Sequence, residues 1–308
     1  MELEERVIKK LKQCYIERCR DKVIAVRSVA AAGLCLLQNA DDPDEEVLAE
    51  LNHNLQFESV SSIRSIYASS IMIHPSTVEG ILTRLRDEDI MIRLQLIYNI
   101  RDHSLIQHLP IKLRHALIYS LQDRNEVIVK ATESLLIAWC ERNNILFLLS
   151  LHDLDEDEMA GELFLNAVFH YEQDHHVNTF TDKASISLTQ LSSYTSFYLY
   201  AIVRYLFEQK RESSIDDFIP DIPAFCNLIS SSAFDLSTDC RVFRNLLRCL
   251  QYLEVSDAVC KTEVLKVIRY LLSIPVGIRE DLVVQEEHVH VLLQALLNLV
   301  DSEPAFLR

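Results

Sequence analysis

Apolar residues recur along this chain at three- and four-residue spacing, which is the pattern of amphipathic helices. In residues 81–101 one apolar stripe ends at Leu85, an acidic turn follows at 87–89, and a second stripe begins at Ile92. Each stripe must be buried against another element, because a helix with one apolar face is not stable alone in water. The pattern therefore predicts pairs of helices, joined by short turns and packed in series.

One pattern recurs four times in the first half of the chain. In each copy an acidic residue lies five or six residues before an adjacent pair, an aliphatic residue followed by a basic one. The basic residues are separated by 37, 29 and 37 positions. Self-similarity at this scale is typical of stacked helix pairs, although 29 is short against the period of about 40–47 residues in HEAT and armadillo repeats. We interpret this set as residues that lock one repeat onto the next, with a ladder of DNA contacts as the alternative for its basic members. The predicted stacking residues are Asp21, Arg27, Arg64, Asp87, Arg93, Asp123 and Lys130.

The fold class predicted from these repeats is all-α, a HEAT-repeat (armadillo-like) α-solenoid. Regular repeats are expected over 1–171, a polar loop or insertion over 172–187, and divergent helical repeats over 188–308. Four glycines and seven prolines in 308 residues are too few for a turn-rich β protein. The aromatic series between Tyr194 and Phe207 is interpreted as core packing, with a peptide-binding groove as the alternative.

The sequence contains no pattern that supports catalysis or a cofactor. The glycines are too far apart for a phosphate-binding loop or a nucleophile elbow. His170, Asp174, His175 and His176 are close in sequence but are expected in a polar loop rather than around a metal. The acidic run 153–158 lacks the glycine and the glutamate of a calcium loop. We therefore expect no enzyme, no metal, no cofactor and no small-molecule substrate.

Cysteine usage and hydropathy predict a soluble intracellular protein. Eight cysteines fall mostly within apolar helical patterns, and none forms a CxxC pair, which favours free buried thiols in a reducing compartment. The charged first residues resemble neither a signal peptide nor a transit peptide. No apolar run approaches the roughly 20 residues that span a membrane, so no membrane partner is expected.

The net charge of −16 is unevenly distributed. Residues 1–150 hold 18 Lys and Arg against 21 Asp and Glu, whereas residues 151–308 hold 12 against 25. Local basic stripes can still bind a phosphate backbone, without reading its sequence. The candidate DNA contacts are a cluster near the start and a second group near the turns, with a solvated surface as the alternative for both: Lys9, Lys10, Lys12, Arg18, Arg20 and Lys22, then Arg84, Arg86, Arg101, Lys112 and Arg114.

Four stretches resemble, in the same order, successive HEAT repeats of the condensin G-type non-SMC subunits, also called condensin subunit 3 or CAP-G. They read RCRDKVIAVRSVAAAGLCLLQNADDPDEEV (18–47), VSSIRSIYASSI with PSTVEGILTRLRDEDIMIRL (60–94), LRHALIYSLQDRNEVIVKATESLLIAWC (113–140) and ILFLLSLHDLDEDEMAGELFLNAVF (145–169). A weaker match, LTQLSSYTSFYLYAIVRYLFEQK (188–210), stands where the family has its next helix. The later helices are compatible with the Cnd3-like region of that family.

This resemblance implies a non-catalytic scaffold of the condensin complex. Such a subunit grips a segment of the kleisin subunit and, with it, holds double-stranded DNA during mitotic chromosome condensation. The ATPase belongs to the SMC subunits, which it contacts through kleisin. The implied location is the nucleus and mitotic chromosomes, and also the cytoplasm. Family members are longer, so the chain is expected to be a fragment or a short form. The alternative is another HEAT or armadillo adaptor, such as a transport receptor or a phosphatase scaffold.

Overall fold

A computed structural model describes residues 2–39, 41, 46–103, 106–152, 154, 157–177, 188, 190–219, 221–233, 239–253, 257–273 and 286–301. Within these residues the chain forms fifteen α-helices and short 3₁₀ turns, and no β-strand. The helices are α1 (Glu2–Arg18), α2 (Ile24–Cys35), α3 (Glu46–Phe57), α4 (Ser61–Ser70), α5 (Val78–Arg84), α6 (Ile90–His103), α7 (Ile111–Tyr119), α8 (Glu126–Arg142), α9 (Ile145–Ser150), α10 (Glu158–His175), α11 (Ser193–Glu208), α12 (Ile222–Ser232), α13 (Cys240–Cys249), α14 (Ala258–Leu272) and α15 (Glu286–Asp301). The predicted all-α class is confirmed.

The helices divide into two compact units, Met1–Val168 and Phe169–Arg308, whose boundary falls within α10. In the first unit α1, α3, α5 and α7 pack in sequence as one layer, and α2, α4, α6 and α8 pack in sequence as a second layer. Each odd-numbered helix also contacts the even-numbered helix that follows it. This double layer is the stacking of helical pairs that the amphipathic pattern predicted.

The core of the first unit lies between its two layers. Its fully buried side chains include Leu51 on α3, Tyr67 on α4, Ile97 on α6 and Trp139 on α8. They come from the apolar stripes that recur at three- and four-residue spacing. Burial of such stripes supplies most of the stability of α1 to α9, which are only 6 to 17 residues long.

The second unit shows the same alternation of layers. Helices α11, α13 and α15 pack in sequence, and α12 packs on α14 beside them. Helix α11 begins at a capping box, in which the Ser192 hydroxyl accepts a hydrogen bond from the Thr195 amide and Thr195 Oγ1 accepts one from the Ser192 amide. The aromatic residues of α11 are mostly buried, with Phe197, Tyr198 and Tyr205 all at most 4% exposed.

The structure corrects the predicted limits of the polar segment 172–187. Helix α10 continues to His175 and ends at His176, whose φ of 53° is left-handed. Residues 172–175 are thus helical, with Glu172 buried and Gln173, Asp174 and His175 facing solvent, because polar residues are compatible with the exposed face of a helix. Residues 178–187 lie outside the described part of the chain. The next helix begins at Ser193 rather than Leu188.

Two glycines allow close approach between helices of the first unit. A Cβ atom on Gly33 would lie 2.5 Å from the ring of Tyr15, which packs from α1 onto α2. A Cβ atom on Gly80 would lie 2.6 Å from the side-chain oxygen of Asn52, which accepts a hydrogen bond from the Gly80 amide at 2.7 Å. No side chain larger than hydrogen fits at either position without movement of its neighbour.

No helix in the described residues combines the length and the apolar character needed to cross a membrane.

Candidate functional site

A ladder of ion pairs connects the repeats of the first unit. Arg27, Arg64 and Arg93 each lie in the first turn of an even-numbered helix, six residues after an acid that precedes that helix. Each arginine donates one hydrogen bond back to the peptide oxygen of that acid, as Arg27 Nη1 does to Asp21 at 2.9 Å. The rest of its guanidinium reaches forward to the acid of the next repeat. We call Asp21, Glu58, Asp87, Asp123 and these three arginines the ladder.

The forward contacts of the ladder are two-point pairs between guanidinium and carboxylate. Arg27 donates to both carboxylate oxygens of Glu58 at 3.0 and 3.1 Å. Arg64 donates to both oxygens of Asp87 at 2.9 and 3.0 Å. Arg93 donates from Nη2 to Asp123 at 3.3 Å, and its Nε lies 3.1 Å from the other oxygen. Two-point pairs fix orientation as well as distance, so the ladder sets how each repeat meets the next.

Each ladder acid is also held by its own turn. The carboxylates of Asp21, Glu58, Asp87 and Asp123 accept hydrogen bonds from the amide two residues later, at 2.8 to 3.0 Å. This contact orders the turn before each even-numbered helix. Glu58 and Asp87 therefore each join three elements: their own turn, the helix that follows, and the repeat before it.

The central pair of the ladder is buried. The side chains of Arg64 and Asp87 are 5% and 0% exposed. Burial alone would raise the pKa of Asp87, but the hydrogen bonds from Arg64 and from the Asp89 amide outweigh it and hold that pKa below its usual value. Burial and the Arg27 hydrogen bonds oppose each other in the same way at Glu58, whose pKa is also lowered. Both carboxylates are therefore ionised at neutral pH.

The prediction that Lys130 belongs to the stacking residues is wrong. Lys130 follows Asp123 by seven residues, whereas the ladder arginines follow their acids by six. One extra residue rotates a side chain by about 100° around a helix, and Lys130 points to solvent with 69% exposure. It pairs with Glu126 of its own helix at 2.7 Å. Val129 occupies the ladder position instead.

A surface of uncharged residues runs across α2, α4 and α6, with the guanidinium of Arg101 stacked on its Tyr98 ring. It consists of the positions two before, two after and five after each ladder arginine, and we call it the uncharged face. These residues are Ala25, Val29, Ala32, Ser62, Ile66, Ser69, Met91, Gln95 and Tyr98. Val29 is 69% exposed, Met91 55% and Tyr98 38%. Exposed apolar side chains on neighbouring helices are candidates for contact with a partner.

The amino-terminal basic candidates lie on and after α1. Lys9, Lys10 and Lys22 are exposed, and Lys12 is half-exposed. Arg18 pairs with Asp21 at 3.2 Å, and Arg20 contacts both oxygens of Glu50 at 2.7 and 3.3 Å. The structure thus gives Arg18 and Arg20 partners within the protein, although both side chains are more than half exposed.

Two of the predicted DNA contacts do not fit that role. Arg84 donates to the peptide oxygens of Leu55 and Gln56 on the preceding repeat and pairs with Asp87, so it supports stacking. Arg114 is only 8% exposed, and the loss of solvent around its guanidinium lowers its pKa. Both guanidinium groups are therefore poorly accessible to the phosphates of DNA. Sequence spacing alone did not show that both side chains turn inward.

The remaining candidates near the turns are placed differently from one another. Arg86 and Lys112 are exposed and line one groove of about 700 Å³ between α5 and α7. Arg101 pairs with the adjacent Asp102 at 2.8 Å and lies 4.8 Å from the ring centre of Tyr98. The groove is therefore the place where two candidates meet.

Sequence reasoning missed a group of arginines in the second unit. Arg241, Arg244 and Arg248 lie on one face of α13, and Arg204 lies beside them on α11. The signal was present as the i, i+3, i+7 spacing of arginine in 240–249. The excess of Asp and Glu over Lys and Arg in that half of the chain obscured this signal.

Among the described residues, no three His, Cys, Asp or Glu side chains converge as metal ligands do.

Comparison with known proteins supports the fold. No family model matches the sequence, and no curated protein matches it. Among solved structures, the crystal structure of the S. pombe condensin Cnd3-Cnd2 subcomplex is similar to this chain, with a TM-score of 0.75 and 22% sequence identity. The similarity covers 96% of this chain and 39% of the matched chain, so this chain spans about two fifths of that protein's length. The likeness shows an all-α solenoid of stacked helical pairs.

Proposed function

We propose that this chain is a non-catalytic HEAT-repeat subunit of a condensin complex, which binds a segment of the kleisin subunit and, together with it, double-stranded DNA. The observation that supports this most is the similarity over 96% of the chain to a condensin subunit solved with its partner, Cnd2. The order of the repeats in the sequence supports the same family independently.

The uncharged face is the surface that fits an extended kleisin segment. A peptide that lies across stacked helices places its side chains between neighbouring helices, where apolar pockets alternate with polar edges. Val29, Met91 and Tyr98 supply apolar contact area, and Ser62, Ser69 and Gln95 supply hydrogen-bonding groups. The ladder holds the three helices at fixed spacing, so the surface is formed before the partner binds. Less ordering on binding favours affinity.

The DNA contact proposed here is electrostatic and independent of sequence. Lys9, Lys10, Lys22, Arg86 and Lys112 are exposed candidates, and so are Arg18 and Arg20, which pair with Asp21 and Glu50. Few phosphate contacts on an acidic chain give weak binding, and for this reason we assign stable DNA binding to the complex with kleisin. Through kleisin the subunit joins the SMC ATPase subunits, on mitotic chromosomes in the nucleus and also in the cytoplasm.

Co-expression with the condensin kleisin of the same organism tests the proposal. We expect the two chains to purify together, the SMC chains to follow when they are included, and DNA to be retained at low salt and released at high salt. Recovery of transport cargo or of phosphatase subunits instead of kleisin would assign the chain to another class of adaptor.

A further inference from the structure

The turns that precede α2, α4, α6 and α8 lie side by side along one edge of the first unit. The ladder joins them in order, because Arg27, Arg64 and Arg93 each bind the acid in the turn of the next repeat. Helices packed in one layer are about 8–10 Å apart, so neighbouring turns have a similar spacing. We call these turns and the residues that flank them the turn edge, which consists of residues 18–24, 56–61, 84–91 and 121–127.

The ladder changes the charge that the turn edge presents to solvent. Its residues include six Lys and Arg and seven Asp and Glu. Four of the acids, Asp21, Glu58, Asp87 and Asp123, face inward in the ladder, and their side chains are at most 22% exposed. The exposed charged residues are two acids and five cations: Glu88 and Glu126, with Arg18, Arg20, Lys22, Arg86 and Arg124. The exposed charge of the turn edge is therefore positive, although its sequence is not.

Some of these exposed charges are paired within the protein. Arg18 pairs with Asp21, Arg20 with Glu50, and Glu126 with Lys130. Exposed ion pairs of this kind are weak, so they do not exclude a charged partner. Lys22, Arg86 and Arg124 place an exposed cation at three of the four turns. The positive charge is therefore spread along the turn edge rather than gathered at one end.

The turn edge also exposes large apolar side chains. Six of them are between 39% and 69% exposed: Val23, Ile24, Phe57, Ile90, Met91 and Val127. They occur at all four turns, beside the charged residues. Single exposed apolar residues are common on protein surfaces, but a row of them along one edge is a candidate contact surface.

These two features favour an extended protein segment over a DNA duplex. Protein–DNA interfaces are more polar and more positively charged than protein–protein interfaces, and phosphate groups gain nothing from contact with Ile24, Phe57 or Val127. A segment in the polyproline II conformation advances about 9 Å over three residues, which matches the spacing of the turns. A segment that contains one acidic and one apolar residue in every three therefore presents both to each turn.

We propose that the turn edge binds an extended segment of a partner protein in which acidic and apolar residues recur every three positions. Lys22, Arg86 and Arg124 pair with its carboxylates, and Ile24, Phe57 and Val127 pack against its apolar side chains. The turn edge shares only Met91 with the uncharged face, and the proposal does not depend on whether that face binds kleisin. Lys22 and Arg86 are also candidate DNA contacts, so a DNA duplex is the competing occupant.

Fluorescence anisotropy on the full chain tests the proposal with three labelled probes: Glu-Leu-Ser repeated four times, Glu-Ser-Ser repeated four times, and a 20-base-pair DNA duplex. We expect the leucine peptide to bind at least tenfold more tightly than the peptide without leucine. The Lys22→Glu/Arg124→Glu variant should lose at least tenfold in affinity for the leucine peptide. The control Lys9→Glu/Arg142→Glu makes the same charge change at exposed positions outside the turn edge and should retain binding.

A second pair of variants tests the apolar contacts without a change of charge. Ile24→Ser/Val127→Ser should weaken binding of the leucine peptide at least fivefold. The control Val7→Ser/Leu11→Ser alters two exposed apolar residues of α1 and should bind as wild type does. Circular dichroism checks that each variant is folded, which we expect because the substituted side chains are exposed.

Four outcomes would overturn the proposal: no binding of the leucine peptide by wild type, equal affinity for the two peptides, equal losses in a variant and its control, or tighter binding of the duplex that is lost only in Lys22→Glu/Arg124→Glu. The last result would make the turn edge a DNA contact.

Discussion

Arg64 and Asp87 face each other across a repeat boundary as a two-point ion pair with distances of 2.9 and 3.0 Å. The pair is enclosed on all sides, and Arg84 adds a third contact to the same carboxylate at 2.8 Å. Asp87 thereby connects α4, α5 and the start of α6. This junction is the centre of the ladder.

Replacement of Arg64 by alanine should destabilise the first unit by about 3–5 kcal/mol, because it leaves a buried carboxylate without its main partner. Urea unfolding followed by tryptophan fluorescence measures this effect. Trp139 is the single tryptophan of the chain and is buried in the first unit. The control is Lys130→Ala, which should leave the unfolding midpoint unchanged. Equal effects of the two substitutions would mean that the ladder does not hold the repeats.

Replacement of Asp87 by asparagine should destabilise the protein in a manner that depends on pH. The folded-state pKa of Asp87 lies below its unfolded value, so its charge stabilises the fold above about pH 4 and that contribution is lost as the pH falls through the folded pKa. The difference in unfolding midpoint between wild type and Asp87→Asn should therefore shrink below about pH 4. A difference that stays constant from pH 7 to pH 3 would contradict the assignment.

Replacement of Gly33 by alanine should cost about 1–3 kcal/mol, since the new methyl group overlaps the ring of Tyr15. The neighbouring exposed position provides the control, because Ala32→Ser adds one atom in open solvent and should cost only the difference in helix propensity, about 0.5 kcal/mol. A further substitution, Tyr15→Ala in the Gly33→Ala background, should remove the clash, so that the two changes are not additive. Strict additivity would argue against this contact.

Reversal of the groove cations should weaken DNA binding by the complex with kleisin. The Arg86→Glu/Lys112→Glu variant removes two candidate phosphate contacts. The slope of log K against log salt concentration should therefore become less steep by roughly 1.8, or about 0.9 per contact. The control is Lys130→Glu/Arg142→Glu, which alters net charge equally on α8. Identical losses in both variants would show that net charge, rather than the groove, governs the affinity.

The sequence predicted the helices well because their apolar periodicity is strong. Helix α8 extends from Glu126 to Arg142 over a continuous apolar periodicity, and Asn125 caps it by accepting a hydrogen bond from the Val127 amide. The end of α10 was placed too early because polar residues such as Gln173 fit a solvent-facing helix as readily as a loop. Helix existence was therefore easier to predict than helix limits.

The roles of individual cations were much harder to predict from sequence. Arg84 and Arg86 are two residues apart, yet Arg84 binds peptide oxygens of the preceding repeat and Arg86 reaches solvent. Their directions depend on how far α3 and α5 approach each other, which Asn52 and Gly80 determine through a contact 28 residues apart in sequence. Lys130 was misassigned by a single residue of register. The direction in which such a side chain points is therefore known only from the three-dimensional structure.

The affinity of the kleisin segment for the uncharged face tests the central claim most directly. Isothermal titration should show that wild type binds the segment and that Val29→Glu/Met91→Glu binds it at least tenfold more weakly, with the same unfolding midpoint. The control Val7→Glu/Leu11→Glu alters two exposed apolar residues of α1 and should bind as wild type does. No binding by wild type, or equal affinity in the wild type and the Val29→Glu/Met91→Glu variant, would contradict the account.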